Sequence, residues 1–312
     1  LKERSARVAV IGSLNMDVVV QTRRLPQIGE TVLGEEVHFI PGGKGANQAV
    51  AAARLGVRTQ MIGSVGGDPF GQSLLESLQK SGVETTAVKT VSITPTGVAS
   101  ILLSGGDNRI IVVQGANNHC LPSDVEANRE RIASVDVVLL QLEIPLETVI
   151  TAARIAKELG KTVVLNPAPA QELPPELYQL TDVITPNRTE LELLSAHPAG
   201  EENLEAAMQV LLEQGVGCVV TTLGEQGAAL LSAEGFQQVG AHPVDVVDST
   251  GAGDAFNAGL ACALAEGEGL TEAVDFAGQV AALAVTRLGA QDGMPTRQEV
   301  EVFHGRERKV DY

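Results

Sequence analysis

Apolar positions along the chain follow two spacings. Residues 8–11, 59–62, 135–140, 162–165, 182–185 and 217–222 are short apolar runs without alternation, the pattern of strands covered on both faces of a parallel sheet. Helical spacing lies between most of them. In 145–160, Leu146, Val149, Ile150 and Ala153 recur at i, i+3, i+4 and i+7 and the run stops at Gly160, predicting one buried stripe and a C-terminal stop. Ser123 with Glu126 reads as the capping box of the helix before it. The alternation predicts an α/β fold. Two stretches break it: 17–40 and 96–113 read as strand pairs with turns at 26–29 and 105–108, giving a small separate sheet. An ordinary edge hairpin explains 97–103 and 109–113 equally well. No repeat, low-complexity stretch or linker divides the chain, so 1–305 is expected to be one domain carrying these two segments, and 306–312 a frayed tail.

With 312 residues, 44% of them hydrophobic, the chain can bury the core of one large domain or two ordinary ones, which excludes a disordered protein. Lys and Arg number 22 against 39 Asp and Glu, a net charge of −17. Such a surface repels phosphate backbones, so nucleic-acid and anionic-membrane binding are disfavoured and any phosphate ligand needs a locally prepared site. Cys120, Cys218 and Cys262 are odd in number and lack CxxC spacing, which suits neither a disulfide framework nor zinc and points to a reducing cytoplasm. No apolar run approaches the ~18 residues of a membrane span. The opening LKERSAR is charged, unlike a signal-peptide core, while a start at Leu1 rather than Met is compatible with a removed leader.

Candidate chemistry lies in five motifs. In GGKGANQAVAAARLG, 42–56, paired glycines allow close backbone approach and a helix offers its N-terminal amides. Lys44 is followed by Gly45, so the spacing is not that of a GxxxxGK[ST] phosphate loop; a glycine turn packing a helix against a strand is the plainer reading. In DSTGAGDAFNAGLACAL, 248–264, Gly251, Ala252 and Gly253 open a helix near Asp254. Unpaired amides there would form an anion hole with no cationic side chain of its own, and Asp254 could accept a hydroxyl proton. An Asp compensating the helix dipole explains the same letter. In GSLNMDV, 12–18, alternation puts Asn15 and Asp17 on one face and Met16 on the other; amide plus carboxylate suits a vicinal diol, though turn formers read alike. QLE supplies Glu143, otherwise an exposed helix-flanking Glu. In TPNRTE, 185–190, Asn187 and Glu190 could face the water shell of a magnesium ion or simply cap a helix. His38, His119, His197, His242 and His304 show no HxxxH or triad grouping, so metal- and serine-hydrolase readings fail and each is expected to be a surface or turn histidine.

Taken together, GGKGAN at 42–47, TPNRTE at 185–190, TLGEQG at 222–227 and DSTGAGDAF at 248–256 resemble, in order and spacing across nearly the whole chain, the PfkB family of carbohydrate kinases. NMD, QLE, LNPAP at 165–169 and TRLGAQDGMP at 286–295 are most similar to its ribose-phosphorylating members. The resemblance implies a three-layer sandwich, a mostly parallel sheet of about eight or nine strands between helices, with 17–40 and 96–113 as a lid closing on sugar. It implies ATP-dependent phosphorylation of D-ribose at O5, with Asn15, Asp17, Gly43, Lys44, Asn47 and Glu143 contacting the sugar. Asp254 would be the base, and the Ala252 and Gly253 amides the anion hole. Asn187, Thr222, Gly224, Gly227 and Gly253 would bind ATP, Glu190 would position Mg2+ through water, and Asp248, Thr250, Ala284, Arg287, Gly289 and Gly293 would hold an activating K+. Two positions depart from the pattern: Gly293 stands where members often carry Ser, and Gly278 offers the adenine pocket no side chain. Deoxyribose, fructose or nucleoside kinases and a non-catalytic sugar or nucleotide sensor remain alternatives; Phe39 and Ile40 alone could stack a base, which weighs against a nucleoside. Alternating Val18, Val20, Ile101 and Leu103 leave a lid face to bury, so a homodimer through the lid is expected.

Overall fold

The structure is a computed structural model that describes residues 5–104 and 107–310. Its strands are β1 Arg7–Ile11, β2 Asn15–Gln21, β3 Glu36–Gly42, β4 Arg58–Gly66, β5 Glu84–Val91, β6 Gly97–Ser104, β7 Asp107–Val113, β8 Val137–Leu140, β9 Thr162–Leu165, β10 Val183–Ile184, β11 Cys218–Thr222, β12 Ala228–Ser232 and β13 Gly235–Val239. Nine of them form one sheet in the order β13-β12-β11-β10-β9-β8-β1-β4-β5. Pairings from β5 across to β11 are parallel, and β12 and β13 add an antiparallel edge.

The central strands show why their sequences do not alternate. Val8, Val10, Val137 and Leu139 enter one apolar core, while Ala9, Ile11, Val138 and Leu140 enter a second. Both faces therefore exclude water, and every position must be apolar. Helices Lys44–Arg54, Ala252–Glu266 and Leu270–Ala284 cover the first face; Leu146–Glu158, Arg188–Ser195 and Leu204–Glu213 cover the second. This is the three-layer sandwich expected. No described helix is long and apolar enough to cross a membrane.

Helix Leu146–Glu158 buries Val149 and Ala153 and gives way to Gly160 at φ 67°, a left-handed stop. The helix at Pro122–Ala127 corrects the expected cap: Asp124 accepts the Leu121 amide at 2.8 Å. Pro122 supplies the preset φ of a first helical residue and starts the helix ahead of Ser123. The long helix Arg297–Val310 runs on into the segment read as a tail, whose last two residues lie outside the described ones.

Four strands form the second sheet, in the order β3-β2-β6-β7. β2 runs antiparallel to β3 with Asp17 opposite Ile40, and parallel to β6 with Asn15 opposite Gly97. The two segments thus share one sheet through the β2–β6 pairing, so 97–103 and 109–113 are not an isolated hairpin. Between β2 and β3 the chain takes a long excursion rather than a tight turn, with Gly29 at φ 80°; the turn expected at 105–108 falls partly outside the described residues.

Candidate active site

Three residues, Gly12 to Leu14, separate β1 of the large sheet from β2 of the small one. The helix Lys44–Arg54 docks onto this bridge. Its Ala46 amide donates to the Ser13 carbonyl at 2.9 Å, and a Cβ on Gly45 would lie 2.6 Å from the Ser13 nitrogen, so only glycine permits the approach. Gly43, at φ 90°, turns the chain into that helix. Glu143 closes the corner from the end of the central strand: its Oε2 accepts the Ser13 hydroxyl at 2.5 Å, the Lys44 amide at 3.1 Å and the Asn15 side-chain amide at 3.5 Å.

Asn15 is buried, and its Oδ1 accepts from Asn117 at 2.7 Å. Asn117 also bonds the Leu14 backbone in both directions, which fixes Asn15 with its NH2 group toward Glu143. Asp17 lies over Gly42, where a Cβ would be 2.5 Å from its Oδ2. Burial, then repulsion from Glu143 and Asp254, pushes the Asp17 carboxyl up to about 7.

Asp254 stands in the first turn of the helix Ala252–Glu266, behind Gly251 at φ 81°. It is 7% exposed. Its Oδ2 accepts from Asn47 at 2.9 Å and its Oδ1 from Gln48 at 3.0 Å. Burial raises its carboxyl above the usual range, opposed by Lys44 and the two amide hydrogen bonds and reinforced by Glu143. Burial alone would lower the Lys44 ammonium, yet Asp254, Glu143 and Glu190 around it hold it above its ordinary value. Lys44, Asn187, Glu190, Thr222 and the stretch from Gly251 to Asp254 line a cleft of about 210 Å³. The anion site expected at Gly251–Gly253 would therefore have a cationic neighbour after all, Lys44, brought in from another helix. Its expected free amides need correcting too, because the Ala252 N–H donates to the Ser249 carbonyl at 3.2 Å.

Asn187 and Glu190 satisfy both readings of their motif. Each side chain accepts the other's backbone amide, at 2.9 and 2.8 Å, in a reciprocal helix cap, and both line the cleft. Burial raises the Glu190 carboxyl, opposed by the Asn187 amide and Lys44. Gly224 and Gly227, at φ 62° and 85°, shape the loop after β11 but are not among the residues lining the cleft.

Next to it, Asp248 bridges two loops, its Oδ1 accepting the Thr250 amide and its Oδ2 the Gly289 amide, both at 2.9 Å. Burial pushes its carboxyl up, but hydrogen bonds from Thr250 and Gly289 outweigh this and leave it below the usual range. A Cβ on Gly293 would lie 2.8 Å from the Ala284 carbonyl oxygen and 3.6 Å from that of Arg287. The two carbonyls converge on the glycine.

Several participants show nothing of their role in the sequence. Gln48 and Gln141, both fully buried, extend the support of Asp254: Gln141 donates to the Gln48 Oε1 at 2.5 Å. His242 is no surface histidine. It packs against Phe303, bonds Asp275 at 3.1 Å, and covers Gly278, where a Cβ would lie 3.2 Å from its Cδ2. Imidazole thus fills the space that a side chain at 278 would take. A larger cavity of about 640 Å³, lined by Glu266, Asp275, Arg297 and His304 among others, shares none of the site residues.

A polar corner of Asn15, Asp17 and Glu143, a buried carboxylate at a helix start and an adjoining cleft holding Lys44, on a nine-stranded sandwich, are the parts a small-molecule kinase needs. Residues 5–297 match the model of the pfkB family carbohydrate kinases, and the chain belongs to that family. It is 43% identical over 294 residues to the ribokinase of Bacillus subtilis, covering 94% of this chain and 98% of that one. The Arabidopsis thaliana ribokinase solved with ribose and ATP superposes with a TM-score of 0.90 at 36% identity, covering 96% of this chain and 98% of the other. A deoxyribokinase of Salmonella typhi is 36% identical over 95% of this chain and 98% of its own length.

Proposed function

We propose that the chain transfers the γ-phosphoryl group of ATP to O5 of D-ribose, releasing ADP and ribose 5-phosphate. The carrying observation is Asp254 itself: both carboxylate oxygens are oriented by amides, and the residue lines the cleft that holds Lys44 while lying within electrostatic reach of Asp17 and Glu143. Full-length similarity to ribokinases supports ribose as the acceptor.

Asn15, Asp17, Asn47 and Glu143 would bind the sugar hydroxyls, with Gly43 and Lys44 at its edge. Asp254 takes the O5 proton as O5 attacks phosphorus and the bond to the ADP oxygen breaks. Lys44 and the Gly253 amide neutralise charge on the transferring group; the Ala252 amide joins them by exchanging a 3.2 Å bond to Ser249 for a charged acceptor. Asn187, Thr222 and the loop through Gly224 and Gly227 would hold the nucleotide.

Magnesium would enter with the ATP phosphates. Among the described residues no three His, Cys, Asp or Glu side chains group to cage a metal, and a half-buried Glu190 at the cleft, its carboxyl raised by desolvation, is suited to orienting the ion's water shell. Bound there, the ion would neutralise phosphate charge. Potassium suits the Gly293 cradle, where the Ala284 and Arg287 carbonyls supply uncharged oxygen donors, with Asp248, Thr250 and Gly289 alongside; bound, it would stiffen the loop entering Asp254.

The small sheet would act as the lid. Phe39, Ile111 and Val113 on it are 56%, 67% and 57% exposed, and pairing with a second copy through this sheet would cover them. Three free buried cysteines suit a reducing cytoplasm.

The test is a panel of sugars with ATP and Mg2+, read as ADP release. Ribose should be turned over fastest. Asp254→Asn should lower kcat at least about 10²-fold with ribose binding little changed; transfer within threefold of the parent would leave Asp254 only a helix-terminal charge. Deoxyribose is the second reading, favoured by the deoxyribokinase similarity, and faster turnover of that sugar would establish it. Ribose binding without ADP release would make the chain a sensor.

A further inference from the structure

Asn47 is a primary amide, and either end could face Asp254. Only the NH2 end stabilises the carboxylate; the oxygen would repel it. A chain of three donors decides the matter. The Ser77 hydroxyl donates to the Oε1 of Gln291 at 3.1 Å, the Gln291 NH2 donates to the Oδ1 of Asn47 at 3.1 Å, and the Asn47 NH2 donates to the Oδ2 of Asp254 at 2.9 Å. The acceptor-only carboxylate at the foot gives the chain its direction, and the Ser77 hydroxyl at the head completes it by donating. Gln291 is 6% exposed and Asn47 7%, so water offers little substitute for either partner.

The four residues come from separate parts of the fold. Ser77 lies in helix Pro69–Lys80, Gln291 in the short turn Ala290–Gly293, Asn47 in helix Lys44–Arg54 and Asp254 in helix Ala252–Glu266. Among the described residues, the side-chain hydrogen bonds of Gln291 run to Ser77 and Asn47, and none runs to Asp254 or to a residue assigned to the nucleotide. Its hydrogen-bonded route to the base is the Asn47 side chain.

We propose that Gln291 is a positioning residue for phosphoryl transfer, holding the Asn47 amide with its donor toward the base, and that Ser77 fixes Gln291 in turn. This rests on the reading of Asp254 as the base. Loss of Gln291 frees Asn47 to present its oxygen, so transfer slows while ATP binding is untouched.

The test is a double-mutant cycle on the full-length protein, with kcat and both KM values measured in each background. Gln291→Met keeps the length and removes both amide groups; it should lower kcat about fivefold to tenfold, the size of one net hydrogen bond, leave KM for ATP within twofold, and raise KM for ribose no more than about threefold. In an Asn47→Ala background, where no amide remains to orient, the same change should cost less than about twofold. Ser77→Ala should act in the same direction by about twofold to threefold and also fall silent in Asn47→Ala; it carries the test if Gln291→Met fails to fold. Equal losses in both backgrounds would make Gln291 a packing residue and overturn the proposal, as would a parent-like kcat for Gln291→Met. Asp254→Asn separates the two levels. If it retains activity, the base assignment falls; if it is inactive while both positioning variants match the parent, only the positioning role falls.

Discussion

The carboxylate of Glu143 accepts the backbone amide of Lys44 at 3.1 Å, joining the end of the central strand to the start of a helix 99 positions earlier in the chain. The same oxygen holds the Ser13 hydroxyl and faces the Asn15 amide. One side chain therefore sets the geometry of the corner where the sugar is expected. Glu143→Ala leaves those donors without their acceptor, and calorimetry should show ribose affinity falling about tenfold to a hundredfold, the cost of unmet buried hydrogen bonds, with ATP affinity nearly unchanged. Equal ribose affinities would remove Glu143 from the sugar site.

Asp17, as a sugar contact, should link binding to pH. Its carboxyl is pushed up to about 7 by burial, Glu143 and Asp254, whereas in the unfolded chain it ionises near an ordinary carboxylate value. A raised value means the folded state loses stability as pH climbs from about 4 to 7. Asp17→Asn should thus raise Tm at pH 8 by roughly 2–4 °C and do little at pH 4. Sugar hydroxyls favour the ionised acceptor, so ribose binding should release a proton below neutrality and tighten as pH rises toward 7. Isothermal titration in buffers of different ionisation enthalpy measures that proton, and Asp17→Asn should abolish it.

Gly12→Ala is a third check. The new Cβ would be 1.8 Å from the Gln141 Oε1 and 3.2 Å from the Gly45 Cα, so Gln141 must move and Gln48 loses its partner. Overpacking of this kind costs about 1–3 kcal/mol, read by urea denaturation, and single-turnover transfer should slow in step because Gln48 no longer holds Asp254.

How much of this was legible follows the range of each signal. The buried strands declared themselves because two cores claim alternate residues of β1 and β8, and the glycine motifs because close approach to Ser13 and the turn at Gly251 exclude other residues. β5 was not visible: as an edge strand it is mostly half-exposed and lacks a full apolar run. Gln48, Gln141 and Gln291 were not visible either, since an amide's role depends on which distant group it meets, and their partners lie 93 to 244 positions away. His242 was misread for the same reason, its neighbours Asp275 and Phe303 belonging to later helices.

Potassium should act modestly. Asp248 ties Thr250 to Gly289 through its own carboxylate, and Gly293 contributes no hydroxyl, so the coupling should lie toward the low end of about 1–3 kcal/mol. Titrating KCl against tetramethylammonium chloride at constant ionic strength and saturating Mg2+ should raise kcat or lower KM for ATP by about fivefold. Flat kinetic constants throughout would show that the Asp248 contacts alone order the loop.

Between β1 and β2 lie only Gly12, Ser13 and Leu14, so Asn15 and Asp17, proposed to hold the sugar, ride on one sheet while the helix of Asp254 packs on the other. A ligand bound to all three is a fastener across a seam. If the small sheet acts as the lid proposed above, it could not swing away without surrendering its half of the grip, and the lifetime of the closed state would be the residence time of the sugar. Truncating a hydroxyl of the acceptor would then be felt twice, as weaker affinity and as a looser joint, with water admitted beside the transferring phosphoryl group. Wasted hydrolysis of ATP, measured with sugars lacking one hydroxyl, is the currency in which that looseness becomes visible.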